Sequence, residues 1–446
     1  MTRMKKPAVK ALFALVVATL LASSIGQRYL GHVMETPDLD FYVYYLTAQV
    51  VHFDAKAELY AGTQDGSPLL RNAAPDTPLG RQAALNSVPG TEFYLYPPLL
   101  ADLIAPISDL SLPKAAVLWR GFNLAFVLFS MILIAKLLNF RLLSAEFALL
   151  VVLAFAFWPV HETIVLGQVA ILIMFLNLVC ILAYRDGRII LSAVALALAT
   201  WLKVTPVLIV PLFFIWRDRK WIAWYLASAI ALLAAVWLIN GWPNLHAYLQ
   251  LTAAMGAGLP TEQNKNIESI VTWLYYGKLF TLPTVQAILR ASTPVLPALP
   301  ALINKILTVS AYAFSLILVW RRRNSAALTE RLLVIGLIAI VASALPPVSW
   351  RHGYTIAFFP LAYLWVHHLG QPGSRRQVIL LTLTSITLGS LIFDLAARAH
   401  LPMFFRIACA ATWTIFSLLL SFDVLWTGLP EPTPDPQPLP AQGPSH

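Results

Sequence analysis

Two carboxylates, Asp38 and Asp40, stand in TPDLDFYVYY just beyond the first apolar run, and lead into Tyr42, Tyr44 and Tyr45. Three other polar segments keep similarly apolar company. EFYLYPPLL carries Tyr96 ahead of Pro97 and Pro98, which stop a helix and hold the chain extended. GLPTEQNKNIESIVTWLYYG bunches Glu262, Gln263, Asn264, Asn266 and Glu268. ALPPVSWRHGYTIAF sets Trp350, Arg351 and His352 at a proline-broken helix start, while WLKVTPV leaves Lys203 between two apolar runs. A carboxylate can take the proton of a hydroxyl nucleophile, and nearby cations can steady a departing phosphate.

Each of these residues also has a plainer reading. The aspartates could solvate a loop, and the tyrosines could form an interfacial aromatic belt as readily as they could stack on a sugar face. A lone histidine is more often structural than catalytic, and Lys203 could snorkel from an ordinary helix end. The plainer readings weaken when Lys203, Arg351 and His352 are taken together, because three cations then converge near one face.

The elements that would hold these residues are membrane helices. Apolar residues make up 59 % of the chain and charged ones 12 %, outside the range of soluble domains. Several runs reach the roughly 20 apolar residues that cross a hydrocarbon core about 30 Å thick. Runs of that length are helices, since backbone groups in lipid must be satisfied within the segment. The fold class is thus all-α and polytopic. After a first helix, spans are expected at about 116–138, 144–160, 166–184, 221–240, 303–320, 328–345, 354–370, 377–394 and 402–422.

The net charge of +10 does not point to nucleic acid, because the basic residues cluster in short loops as topology signals. Arg3, Lys5, Lys6 and Lys10 place the N-terminus in the cytoplasm, and Lys136/Arg141, YRDGR, WRDRK, WRRRN and GSRR then fall on that same side. The N-terminus imitates a secretory signal, but an uncleaved first helix is the reading taken here. Residues 1–428 form the transmembrane domain, with extracytoplasmic loops at 31–113 and 241–302; 429–446 is a proline-rich, disordered cytoplasmic tail. The first loop is too long for a turn and should carry short amphipathic helices on the membrane surface. Between YRDGR and WRDRK there are too few residues for two full spans, so a short re-entrant helix pair is expected, with WLKVTPV at its apex. That places Lys203 inside the membrane boundary, where an ionisable residue is paired or functional. Cys180 and Cys409 lie in apolar runs and read as small core residues.

No phosphate-cradling glycine loop, zinc motif or nucleophile elbow occurs. A carboxylate with buried cations at a lipid boundary suits transfer of a sugar from a lipid phosphate, through a transition state like an oxocarbenium ion. One carboxylate opposite the leaving group gives inversion. Nucleotide sugars are less suited as donors, since the polar segments face away from the cytoplasm.

The motifs DFYVYY, YLYPPLL, LGQVAILIMFLNL, GRIILSAVALALATWLKVTPVLIVPLFFIWRDRKW and PPVSWRHGY occur in an order that resembles glycosyltransferase family 87, the polyprenyl-phosphate-mannose-dependent α-mannosyltransferases of the GT-C fold. The resemblance implies a catalytic base at Asp40, with Asp38 a neighbour that raises its pKa or a plain loop residue. It implies that Lys203 and His352 line the cavity for lipid phosphate and sugar. Tyr44, Tyr96, Gln168, Asn264, Trp350 and Arg351 complete the expected substrate-binding set with Asp38. The donor would be a polyprenyl-phosphate hexose such as mannose, and the acceptor a lipid or glycan hydroxyl. No cofactor or metal is expected. The site would face out from a bacterial inner membrane, with both termini cytoplasmic. The chain departs from the family pattern at EQNKNIES and at Gly353, which leaves sugar and acceptor open. The alternative is a transporter or flippase of lipid-linked sugars; such proteins show internal repeats, and none is evident here.

Overall fold

A computed structural model of the chain describes residues 4–30, 38–53, 58–62, 73–88, 91–254, 265–276, 298–324, 327–346, 349–371, 374–390 and 403–429. Among these residues the secondary structure is helical, with no strand. Asn264 and the proline-rich tail from 430 onward lie outside the described residues.

Helix α1 (Lys6–Leu30) is followed by three helices of the first loop, α2 (Leu39–Phe53), α3 (Pro78–Leu85) and α4 (Pro98–Ile104). The loop therefore carries helices, as expected, but α2 is covered on nearly every side instead of lying with one apolar face in lipid. Phe41, Val43, Tyr44, Tyr45, Leu46, Ala48, Val50 and Val51 are all buried. The reason is aromatic bulk: the Phe41 ring stacks on Trp119 at 5.7 Å, and large rings gain most when fully enclosed.

Helix α5 (Leu112–Leu137) has 26 residues and rises about 39 Å, enough to cross the hydrocarbon core. The expected 144–160 span is instead two helices, α6 (Ala145–Ala156) and α7 (Trp158–Leu166), bent by 60°. Phe157 takes an extended conformation at the joint, and Pro159 in the first turn of α7 has no N–H to continue the ladder. Helices α8 (Ala170–Arg185) and α9 (Ile189–Leu202) form a hairpin. With 14 residues, α9 rises only about 21 Å, too short to cross. It ends at Lys203, whose backbone is extended, and the chain turns through a 3-10 segment, Thr205–Ile209, into α10 (Pro211–Ile215). This is the short broken pair expected between YRDGR and WRDRK.

Helix α11 (Arg219–Ala254) bends at Gly241, where φ is 76°, and Pro243 follows two residues on. The second loop was expected to begin at that residue. Helices α12 (Ile267–Tyr276), α13 (Ala298–Arg322), α14 (Leu328–Ala344), α15 (Phe358–Gly370), α16 (Arg375–Gly389) and α17 (Met403–Thr427) complete the bundle, and a 3-10 segment, Arg351–Ala357, leads into α15. Helices α1, α5, α11 and α13 each contain a stretch long and apolar enough to span a membrane, and the bent α6–α7 pair can serve as a fifth. The molecule is a polytopic membrane protein.

Two apolar cores result. The larger one fills the bundle around Met131, Trp158, Ile171, Phe213, Ile338 and Trp413. The smaller joins α2 and α4 to the ends of α5, α8 and α9 through Phe41, Tyr44, Leu100, Trp119, Val169 and Leu202. Four of the polar segments singled out above, those of Asp40, Tyr96, Lys203 and His352, line one cavity together with residues of both cores; no described residue of GLPTEQNKNIESIVTWLYYG lines it.

Candidate active site

The start of α2 is fixed by Asp38. Its backbone lies in the left-handed region, φ 59°, which aspartate tolerates better than most side chains. Its N–H donates to the carbonyl of Val165 at the end of α7 (2.8 Å), and its own carbonyl accepts from the N–H of Tyr42 (2.9 Å). Its carboxylate takes a hydrogen bond from Arg120 Nη2 on α5 at 2.6 Å. Two residues later Asp40 sits in the first turn of α2, buried, and aimed into a cavity of about 270 Å³.

Asp40 is oriented by Gln168. The chain reaches Gln168 through Gly167, which ends α7 with φ 69° and packs so closely on α2 that a Cβ there would lie 2.6 Å from that of Phe41. Only glycine meets both demands. The carbonyl of Gly167 accepts from Trp119 Nε1 at 2.7 Å, which locks the turn. Gln168 Oε1 then accepts two hydroxyls, Tyr44 at 2.7 Å and Tyr96 at 3.1 Å. With that oxygen committed, the amide nitrogen is the end that hydrogen-bonds the Asp40 carboxylate. The other carboxylate oxygen, Asp40 Oδ2, is buried with no hydrogen-bond partner. Burial raises the pKa of Asp40 to about 7, the charge of Glu92 pushes the same way, and Gln168 and Lys203 oppose.

The same cavity is lined by Lys203, at the break after α9, and by the segment that leads into α15, with Ser349, Trp350 and His352. Trp350 and His352 have ring centroids 6.0 Å apart, and His352 Nδ1 is buried without a partner. The loop is held by Ser343, whose hydroxyl donates to the carbonyl of Gly353 at 3.0 Å, and by Ser349, which donates to the carbonyl of Ser343. Much of the remaining lining is apolar, with Ile173, Met174, Pro206, Ile209, Ala339 and Ala342. The arrangement offers a proton acceptor, a cation and a histidine, and an apolar lining suited to a lipid chain.

Asp40, Tyr44, Tyr96, Gln168, Lys203, Trp350 and His352 thus share one cavity, although they come from five separate stretches of sequence. Asp38 and Arg351 do not line it. Asp38 is held by Arg120, and the carboxylate that acts on Asp40 is Glu92. The guanidinium of Arg351 turns away to pair with Glu162 of α7 and lies over the Trp158 ring at 5.2 Å. A buried guanidinium needs a carboxylate, and Glu162 supplies one. Tyr45 is no belt residue either; it is buried and donates to the carbonyl of Leu110 at 2.6 Å.

Residue-by-residue reading missed Glu162, Arg120 and Glu92. A glutamate in the apolar stretch WPVHETIVLG signals a partner by itself, because a carboxylate at membrane depth needs one. Glu92 carries no such signal, since the polar residues before it read as loop. Among the described residues no group of three or more His, Cys, Asp and Glu side chains could hold a metal ion.

Comparison with known families gives a match to glycosyltransferase family 87 over residues 94–344, more than half of the chain. No curated protein matches. The matched region contains Tyr96, Gln168 and Lys203 and stops short of Asp40 on one side and His352 on the other; the fold brings those two to the same cavity.

Proposed function

The chain belongs to glycosyltransferase family 87, and from that membership we propose that it moves a hexose, mannose foremost, from a polyprenyl phosphate to a hydroxyl of a lipid or glycan acceptor. The transfer occurs with inversion at the extracytoplasmic face of a bacterial inner membrane, both termini being cytoplasmic. Asp40 Oδ2 takes the proton of the acceptor hydroxyl as its oxygen attacks the anomeric carbon. The bond from that carbon to the phosphate oxygen breaks on the opposite side, and the electron pair leaves with the phosphate. Lys203 places its ammonium against the growing negative charge, with His352 donating a hydrogen bond beside it. Tyr44, Tyr96 and Gln168 keep Asp40 in one orientation, and Trp350 offers an aromatic face to the sugar.

One observation carries this reading: Asp40, one of whose carboxylate oxygens has no hydrogen-bond partner, lines the same cavity as Lys203 and His352. A single carboxylate at that place suits direct displacement, in which no second carboxylate serves as nucleophile. The apolar lining, with Ile173, Met174, Pro206 and Ile209, suits a lipid-borne donor better than a nucleotide.

The test is donor choice. Purified protein in lipid nanodiscs is given radiolabelled polyprenyl-phosphate mannose or GDP-mannose, with a lipid extract of its native membranes as acceptor. Label should pass to acceptor from the lipid donor alone. Transfer from the nucleotide would overturn the reading, and movement of intact donor between leaflets of proteoliposomes without sugar transfer would make the protein a transporter.

A further inference from the structure

The cavity holds a second carboxylate that the reaction above leaves unused. Glu92 lines the cavity wall from the extended stretch ahead of α4, next to Phe93 and Leu95. Among the described residues no Lys, Arg or His pairs with it. Asp40 is the carboxylate whose charge acts on Lys203, and Lys203 and Arg351 are the charges that act on His352; Glu92 is not among them. Its charge does reach Asp40 and Tyr96. Glu92 thus shares the cavity with Asp40, Lys203 and His352 and, unlike Asp40, has no cation paired with it among the described residues. A phosphate is drawn to the cations and repelled from Glu92. What Glu92 can receive is an uncharged hydroxyl.

We propose that Glu92 is the acceptor-binding carboxylate: it accepts a hydrogen bond from a hydroxyl adjacent to the attacking one, so the acceptor is a polyol with hydroxyls on neighbouring carbons and not a simple alcohol. This rests on the transfer reaction proposed above. Glu92 positions the acceptor and takes no part in bond breaking. A hydroxyl bound by a carboxylate loses about tenfold or more in affinity when the carboxylate becomes an amide.

The experiment compares wild type with Glu92→Gln in nanodiscs, using radiolabelled polyprenyl-phosphate mannose. Two reactions are followed: slow hydrolysis of the donor by water, and transfer to a native-membrane lipid extract, either intact or with its vicinal diols cleaved by mild periodate. Glu92→Gln should raise the apparent KM for the intact extract about tenfold and leave the donor KM as in wild type, while the acid limb of donor hydrolysis moves to lower pH because Asp40 loses a like-charged neighbour. Periodate should abolish acceptor capacity. Undiminished transfer to periodate-treated extract would overturn the proposal, as would an unchanged acceptor KM. Equal loss of hydrolysis and transfer in Glu92→Gln would also overturn it, by making Glu92 part of the chemistry. If wild type neither hydrolyses the donor nor transfers from it, the transfer reaction itself is at fault, which separates the two failures.

Discussion

Arg120 Nη2 lies 2.6 Å from Asp38 Oδ2 and ties the start of α2 to the transmembrane helix α5. The two aspartates of the DLD stretch consequently have different tasks: Asp38 anchors the helix, and Asp40 faces the cavity. Arg120 is 41 % exposed on its side chain, so the pair contributes only about 1–2 kcal/mol. Arg120→Gln should lower the melting temperature in detergent by a few degrees and reduce kcat/KM modestly. The acid limb of its pH profile should stay where it is in wild type. A moved limb would mean that Asp38 acts on Asp40 electrostatically after all.

The pH dependence follows from Asp40, whose pKa burial raises to about 7. The base is active when deprotonated, so kcat/KM should fall as pH drops through about 7, well above the limb of an ordinary carboxylate. Gln168 hydrogen-bonds the carboxylate and lowers its pKa. Gln168→Leu should therefore move the acid limb to higher pH as well as reduce the rate. A limb near pH 4 in wild type would place Asp40 in water and remove the basis for the assignment.

The buried pair of Glu162 and Arg351 predicts a stability effect without a role in chemistry. Glu162→Ala removes the carboxylate paired with this buried guanidinium and should cost about 3–5 kcal/mol. The double variant Glu162→Leu with Arg351→Met should recover most of that loss, because a hydrophobic pair of similar volume avoids the desolvation penalty. Thermal unfolding of the three variants decides it. A double variant no more stable than Glu162→Ala would show that the pair does more than neutralise itself.

Lys203 is assigned the charge that a divalent cation supplies in other transferases. EDTA should leave transfer unchanged, whereas Lys203→Met should lower kcat by about a hundredfold or more, as loss of a charge-stabilising donor does elsewhere. Inhibition by EDTA that Mg²⁺ or Mn²⁺ reverses would instead place a metal at the phosphate.

Much of this was readable along the chain, and what was not has a physical cause. Lys203 stood out because a charge between two apolar runs, three residues ahead of Pro206, marks both a break and a cost. The helices came from apolar runs, which report length and say nothing of side-chain direction. Direction settled the rest. Asp38 and Arg120 are 82 positions apart, and the partner of Arg351, Glu162, belongs to a different helix; packing alone makes such pairs. The bend at Phe157 was hidden because an apolar run reads the same whether straight or broken. The depth of α2 was hidden too: Tyr44 and Tyr45 have a composition equally at home at an interface, and only the stacking of Phe41 on Trp119 shows that the helix is enclosed.

The central claim is that Asp40 is the base. It is tested most directly by Asp40→Asn in nanodiscs, with donor binding and single-turnover transfer from radiolabelled polyprenyl-phosphate mannose measured on the same preparation. Binding should remain within a few-fold of wild type while transfer falls by about 10²–10⁴, the usual contribution of a general base. Transfer near the wild-type rate with donor still bound would contradict the account.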